Sequence, residues 1–266
     1  VVVKGHSAHP GTSELVGRAV QAAVAKCGLP EGVFSLLFGS GNDVGAELVR
    51  HPLIKAVGFT GSRGGGTALM DIAAGRPEPI PVYAEMCSIN PVFLMPSALE
   101  QRAESIAEGF VASLAMGAGQ FCTNPGLVIA QQGPALNRFL KTAAEALTKV
   151  AAQTMLTPGI YQAYCSGVDQ LQSHSQVSSV ELGEAEQAAN QCQAGIYQTT
   201  AQAFVADDRL ASEVFGASSL VVICESAEEF VQVAEQLEGQ LTATLQLNDG
   251  DADQARALLP TLERKA

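Results

Sequence analysis

Apolar residues in the first third of the chain come in two spacings. Residues 1–4, 33–38, 53–59 and 80–84 are short apolar runs of strand length, the first of them expected to be buried. Between the first two, Leu15, Ala19, Ala23 and Cys27, with Val16, Val20 and Val24, repeat at helical period, and Thr12 or Ser13 is placed to cap that helix. Gly28-Leu29-Pro30 stops it. Shorter helices are expected over residues 43–50 and 66–74. Strands separated by helices of this length predict a parallel sheet joined by right-handed crossovers, and so an α/β fold.

Pro77, Pro79 and Pro81 form a stiff extended connector, and a division into two domains, residues 1–87 and 88–266, is expected close to it. The second part begins with a strand at 92–95 and a long helix at 98–117, then a turn carrying Cys122, a strand at 127–130 and a helix at 136–150. Residues 165–200 are rich in Gln and Ser with little periodicity and read as surface loops and short strands. A strand at 219–224, a helix at 227–237, a strand at 241–245 and a final helix ending near 263 complete the pattern. No internal repeat is visible.

Composition narrows the class. Apolar residues make up 47% and charged residues 16% of the 266 positions, which favours a packed core over disorder. A net charge of −12 disfavours nucleic acid and anionic membranes as partners, because both attract a positive surface. No apolar run approaches the roughly 18 residues of a membrane span. The chain opens on Val1-Val2-Val3-Lys4 without an initiating Met or a secretory leader, so a piece of a longer cytoplasmic protein is expected. Cys27, Cys87, Cys122, Cys165, Cys192 and Cys224 lack the close spacing of a disulfide framework and are expected to be reduced. No metal site is expected.

Several segments could carry chemistry. Cys122 follows Gly119-Gln120-Phe121 among small and polar neighbours, where turn amides at a helix boundary could favour a thiolate; the plainer reading is a buried small hydrophobe. Glu85 ends an apolar strand, a place where a carboxylate is either functional or already in water. Phe59-Thr60-Gly61-Ser62-Arg63-Gly64-Gly65-Gly66 closes a strand and opens a helix, which suits either a diphosphate or simple tight packing. Lys4 is a solvated edge lysine or a ribose contact. Glu213-Val214-Phe215-Gly216 could be no more than a loop before a core strand.

Taken in order, these segments resemble the aldehyde dehydrogenase superfamily. The wording of Lys4-Gly5-His6-Ser7-Ala8-His9-Pro10 and of the glycine-rich loop is most similar to the branch of α-ketoglutaric semialdehyde (2,5-dioxopentanoate) dehydrogenases and NADP-linked fatty aldehyde dehydrogenases. The resemblance implies a Rossmann-like, parallel-sheet cofactor domain lacking its first strands, followed by an α/β catalytic domain lacking its last strand. It implies that Cys122 attacks an aldehyde, and that Glu85 activates the water that hydrolyses the thioester. Lys4 would contact the adenosine ribose. Phe59, Thr60, Gly61, Ser62 and Gly66 would form the cofactor loop, Glu213 would hold the nicotinamide ribose, and Phe215 would pack near the ring. The oxyanion would be held by the Cys122 N–H and by a family asparagine that lies upstream of Val1. A homodimer or homotetramer is the implied assembly.

Two departures from the family wording bear on function. Glu-Leu-Gly-Gly becomes Glu85-Met86-Cys87-Ser88, and the added thiol of Cys87 is read as a bystander, with an oxidation-sensitive partner as the alternative. Where NAD-preferring relatives carry a glutamate, this chain has Ser7, which removes a carboxylate that would repel a 2′-phosphate. Residues 38–43 supply no Arg or Lys to clamp that phosphate. The expected cofactor is therefore NADP or NAD, with NADP or dual use favoured. The alternatives are a general or fatty aldehyde dehydrogenase, an inactive folded fragment, and a cofactor-free cysteine hydrolase. The last needs a histidine beside Cys122, and His6, His9, His51 and His174 are scattered.

Overall fold

Pro10 occupies the first turn of the first helix, where its missing N–H costs nothing, and it sets the start of that helix ahead of the expected Thr12 or Ser13 cap. In the computed structural model, which describes residues 1–39 and 43–266, the chain divides into two compact units, Val1–Cys87 and Ser88–Ala266. The first unit runs β1 (Val2–Lys4), α1 (Pro10–Lys26), β2 (Ser35–Leu37), α2 (Asp43–Arg50), β3 (Val57–Thr60), α3 (Arg63–Ala74) and β4 (Val82–Glu85). Its strands are parallel, as the alternation predicts, but they form two separate pairs, β1–β2 and β3–β4, in place of one sheet.

That pairing overturns the expected burial of the first strand. Val1 is 81% exposed and Leu15 on α1 is 72% exposed, because a two-stranded pair with one helix against it covers little apolar surface. The helix does pack closely at one point: a Cβ on Gly17 would meet the Leu36 side chain at 2.6 Å. Gly28 ends the helix in the left-handed region, φ +64°, as its sequence predicts.

The second unit is larger. It contains β5 (Pro91–Leu94), α4 (Pro96–Ala115), β6 (Leu127–Gln131), α5 (Pro134–Leu147), β7 (Gln153–Thr154), α6 (Pro158–Ser173), β8 (Ser178–Leu182), β9 (Gln191–Cys192), β10 (Gly195–Thr200), α7 (Ala201–Ala206), β11 (Ser218–Cys224), α8 (Ala227–Gln236), β12 (Thr244–Gln246) and α9 (Ala252–Lys265). Six strands form one sheet in the order β12-β5-β6-β11-β10-β8, parallel throughout except for β8, which runs antiparallel to β10. Strand alternation splits the core in two. Leu94, Val128, Ile196 and Val221 pack towards Phe110, Phe139 and Tyr164, while Phe93, Ile129, Tyr197 and Val222 pack towards Phe204, Phe230 and Leu258. The α/β class follows from this arrangement.

Residues 165–200 are more ordered and more buried than the expected surface loops and short strands. They hold most of α6 and the inner strand β10, with Leu171, Ile196 and Tyr197 buried. A narrow stripe, Ile160, Tyr164, Val168 and Leu171, anchors α6 to the core, and the glutamines around it face outward and mask the period. The N-terminus of α4 is capped from far along the chain. The buried Asp251 carboxylate accepts from the Ser97 N–H at 2.7 Å and the Ala98 N–H at 2.9 Å.

Candidate functional site

In the first unit, Thr60 and Glu85 are register partners at the ends of β3 and β4, and the Gly61 N–H donates to the Glu85 carbonyl at 3.1 Å. The carboxylate strand end and the glycine-rich loop are thus one local structure. Ser62 caps α3 by accepting from the Gly65 N–H at 3.2 Å, so the helix begins three residues earlier than expected. Gly66 is buried where a Cβ would meet Met86 Sδ at 2.5 Å, which lets α3 lie close on β4. Nothing lies within 4 Å of a Cβ position on Gly64, so the helix N-terminus is open to the backbone approach that a diphosphate requires. Glu85 is half-buried, and Thr60 and Ser62 are exposed.

Lys4 ends β1, half-buried, with Nζ donating to the Gly5 carbonyl at 3.2 Å; Ser7 is exposed just beyond it. His6 and His9 stack at 4.8 Å, and burial, then His9 and Lys4, lower the His6 pKa. Residues 40–42, inside the stretch expected to lack a phosphate clamp, lie outside the described residues.

In the second unit, the nucleophile candidate is presented by an unusual turn. After α4, Gly117, Ala118 and Gly119 are all left-handed, with φ of +56°, +60° and +67°. Gln153 holds this reversal: its Oε1 accepts from the Ala118 N–H at 3.2 Å and its Nε2 donates to the Ala115 carbonyl at 2.8 Å. The Gln120 side chain ties it further, donating to the Gly117 carbonyl and accepting from the Leu156 N–H. Cys122 follows, exposed. It lies past the C-terminal end of α4, the negative end of the helix dipole. Among the described residues neither the Cys122 nor the Thr123 N–H meets an acceptor.

The far side of this turn is fixed by Asn90, itself left-handed at φ +48° and only 3% exposed. Its Nδ2 donates to the Cys122 carbonyl and the Asn124 carbonyl, both at 2.9 Å. Its Oδ1 accepts from Ser88 Oγ at 2.8 Å and Thr242 Oγ1 at 2.9 Å.

The Glu213–Gly216 segment meets the same turn. Gly119 lies so close to the Gly216–Ala217 backbone that a Cβ there would be 2.2 Å from the Gly216 carbonyl carbon. A small cavity lies between the two segments, lined by Phe121, Asn124, Glu213 and Phe215 among others. Glu213 is half-buried and accepts from the Ser88 N–H at 3.4 Å; Phe215 is exposed. Under this segment sits Tyr164, whose hydroxyl donates to the Gln193 carbonyl at 2.6 Å and whose ionisation burial opposes strongly. Burial likewise raises the Cys192 thiol and pushes Cys224 to about 12, which leaves both as inert core thiols. None of the six cysteines is in a disulfide.

The structure therefore joins Glu85 with the glycine-rich loop in one unit, and the Cys122 turn with Glu213–Phe215 in the other. Asn90, Gln153 and Tyr164 are supports that the sequence reasoning missed. A sequence signal existed for Asn90, since Asn tolerates the left-handed region; none marked Gln153. Among the described residues no helix is long and apolar enough to cross a membrane, and no group of three His, Cys, Asp or Glu could hold a metal ion.

A family model described as the aldehyde dehydrogenase family matches residues 1–258. Over its full length the chain is 58% identical to alpha-ketoglutaric semialdehyde dehydrogenase 2 of Azospirillum brasilense, covering 51% of that protein. It is 42% identical to the alpha-ketoglutaric semialdehyde dehydrogenase of Acinetobacter baylyi, covering 50% of it. The chain thus spans about half the length of the curated relatives it matches. An NAD-dependent benzaldehyde dehydrogenase from Corynebacterium glutamicum shares the fold with a TM-score of 0.79 at 18% identity, over 99% of this chain and 56% of that one. Proline utilization A from Bdellovibrio bacteriovorus does so at 0.80 and 20% identity, over 99% of this chain and 27% of that one.

Proposed function

The chain belongs to the aldehyde dehydrogenase family, and on that premise we propose that the protein oxidises an aldehyde to a carboxylic acid with NADP or NAD. The names of the two curated relatives support a short oxo-acid semialdehyde, such as α-ketoglutaric semialdehyde, as substrate. The observation that carries the reading is the meeting of Gly119 with Gly216, which sets the nucleophile turn and the Glu213–Phe215 segment around one cavity.

Val1–Cys87 is read as the C-terminal part of the cofactor domain and Ser88–Ala266 as the catalytic domain. The open helix N-terminus at Gly64, capped by Ser62, fits a dinucleotide diphosphate, with Phe59, Thr60, Gly61 and Gly66 shaping the loop. Lys4 and Ser7 would address the adenosine ribose, Glu213 the nicotinamide ribose, and Phe215 the ring. Cys122 Sγ adds to the aldehyde carbon, and the Cys122 N–H, without an acceptor among the described residues, would hold the resulting oxyanion. A nicotinamide dinucleotide held by the Ser62–Gly66 loop and Glu213 would supply the hydride acceptor needed to take the adduct to a thioester. Glu85 then takes a proton from the water that attacks the thioester, releasing the acid and the Cys122 thiol. Cytoplasmic location and a homodimer or homotetramer belong to the same reading.

The test is oxidation by the full-length protein of a panel of short oxo-acid semialdehydes and long-chain aldehydes, each with NAD and with NADP. Cys122→Ala is expected to abolish NAD(P)H formation, and Cys87→Ala to preserve it. The reverse result overturns the assignment. Ester hydrolysis without NAD(P)H formation from any aldehyde would point to a cofactor-free hydrolase.

A further inference from the structure

Resting on the reading of Cys122 as nucleophile, we propose that Asn90 is a positioning residue for it: the Asn90 amide, held by Ser88 and Thr242, fixes the two carbonyls that flank Thr123 and so sets how the Cys122 thiol and N–H are presented. The chemistry of the partners forces the orientation of that amide. The Cys122 and Asn124 carbonyls can only accept, so the NH2 end must face them, and the oxygen must face the hydroxyls of Ser88 and Thr242. Asn90 is buried, so no water replaces a lost bond cheaply.

The Asn90 backbone is fixed in turn. Gln240 Oε1 accepts from the Ile89 N–H at 2.9 Å and the Asn90 N–H at 3.1 Å, and Ser88 Oγ accepts from the Leu241 N–H at 2.9 Å. A connected polar network therefore runs from residues 240–242 through 88–90 to the nucleophile turn. Its last link matters electrostatically. Without the amide, the Cys122 and Asn124 carbonyl oxygens, two negative dipole ends on the turn that carries the thiol, lose the donor they share. An anionic sulfur is then harder to form.

The test reads the thiol without turnover. Iodoacetamide labelling of each cysteine is followed by peptide-resolved mass spectrometry from pH 6 to 10, on native chain, Asn90→Asp and Thr242→Val, with thermal melting of each. Asn90→Asp keeps the shape and replaces two donors by acceptors. Its labelling of Cys122 at pH 7 should fall about tenfold, with the whole profile displaced upward by about one pH unit. Thr242→Val removes one of the two hydroxyls that orient the amide and should displace the profile the same way by less. Exposed Cys27 serves as the internal reference and should not move. A purely structural role lowers the melting temperature and leaves the Cys122 profile on that of the native chain; this outcome in a folded variant overturns the proposal. If Asn90→Asp does not fold, Thr242→Val decides on the same criterion. Because aldehyde and cofactor are absent, the result is separate from the catalytic reading. Oxidation surviving in Cys122→Ala would sink that reading and leave the effect of Asn90 on the thiol intact.

Discussion

Gly119 and Gly216 meet backbone to backbone: a Cβ on Gly119 would stand 2.2 Å from the Gly216 carbonyl carbon and 2.3 Å from the Ala217 nitrogen. Gly119 is also left-handed, φ +67°. Two independent reasons, space and dihedral, thus require glycine where the nucleophile turn touches the Glu213–Phe215 segment.

Gly119→Ala should therefore cost about 3 kcal/mol, combining left-handed strain with forced displacement of backbone. Gly109→Ala is the control. Gly109 lies inside α4 with nothing within 4 Å of a Cβ, so alanine should stabilise by about 0.5–1 kcal/mol. Urea midpoints measure both. Equal effects at the two sites would remove the argument for contact at Gly119.

Tyr164 is the floor under the same segment, and a Cβ on Gly216 would meet its ring at 2.3 Å. Tyr164→Phe keeps the ring and strips the hydroxyl from the Gln193 and Ala217 carbonyls, so it should cost about 1–3 kcal/mol in urea unfolding. Oxidation should fall further in Tyr164→Ala than in Tyr164→Phe, because only alanine removes the support. Equal loss in both would assign the role to the hydroxyl.

How much of this was legible follows from what each residue touches. The strand-end position of Lys4 and Glu85, the helix at Asp43–Arg50 and the stop at Gly28 depend on neighbours a few residues away, and periodicity reports those. The buried strand β10 and helix α6 depend on partners such as β11 and the Glu213–Gly216 segment, and their Gln-rich flanks concealed a narrow apolar stripe. Gln153 and Asn90 act on Ala118 and Cys122 from 35 and 32 positions away. Nothing local announces such a bond. The exposure of β1 was equally hidden, since a strand's burial depends on what covers its faces, not on its own residues.

Asp207 gives a pH dependence outside the site. Hydrogen bonds from the Arg209 side chain and N–H and from His174 hold its carboxyl far below the ordinary carboxylate range. A lowered folded pKa means stability that is complete above the unfolded value, about pH 4, and lost as pH falls towards the folded one. The urea midpoint of the native chain should exceed that of Asp207→Asn from pH 5 to 7, and the gap should narrow steadily below pH 4. A gap independent of pH would show that the lost bonds, not the charge, account for it.

Ser7 offers the sharpest test of cofactor choice. It lies exposed just past the end of β1, three positions after Lys4, where a carboxylate would accept from a ribose 2′-hydroxyl and repel a 2′-phosphate. Ser7→Glu in the full-length protein should therefore lower kcat/KM for NADP at least tenfold, about 1.4 kcal/mol, while kcat/KM for NAD holds or rises. The exposed position argues that the new side chain disturbs no packing, so a common loss with both cofactors is not expected. An unchanged NADP-to-NAD ratio would mean that Ser7 does not face the ribose, and the reading of Lys4 as its neighbour there would fall with it.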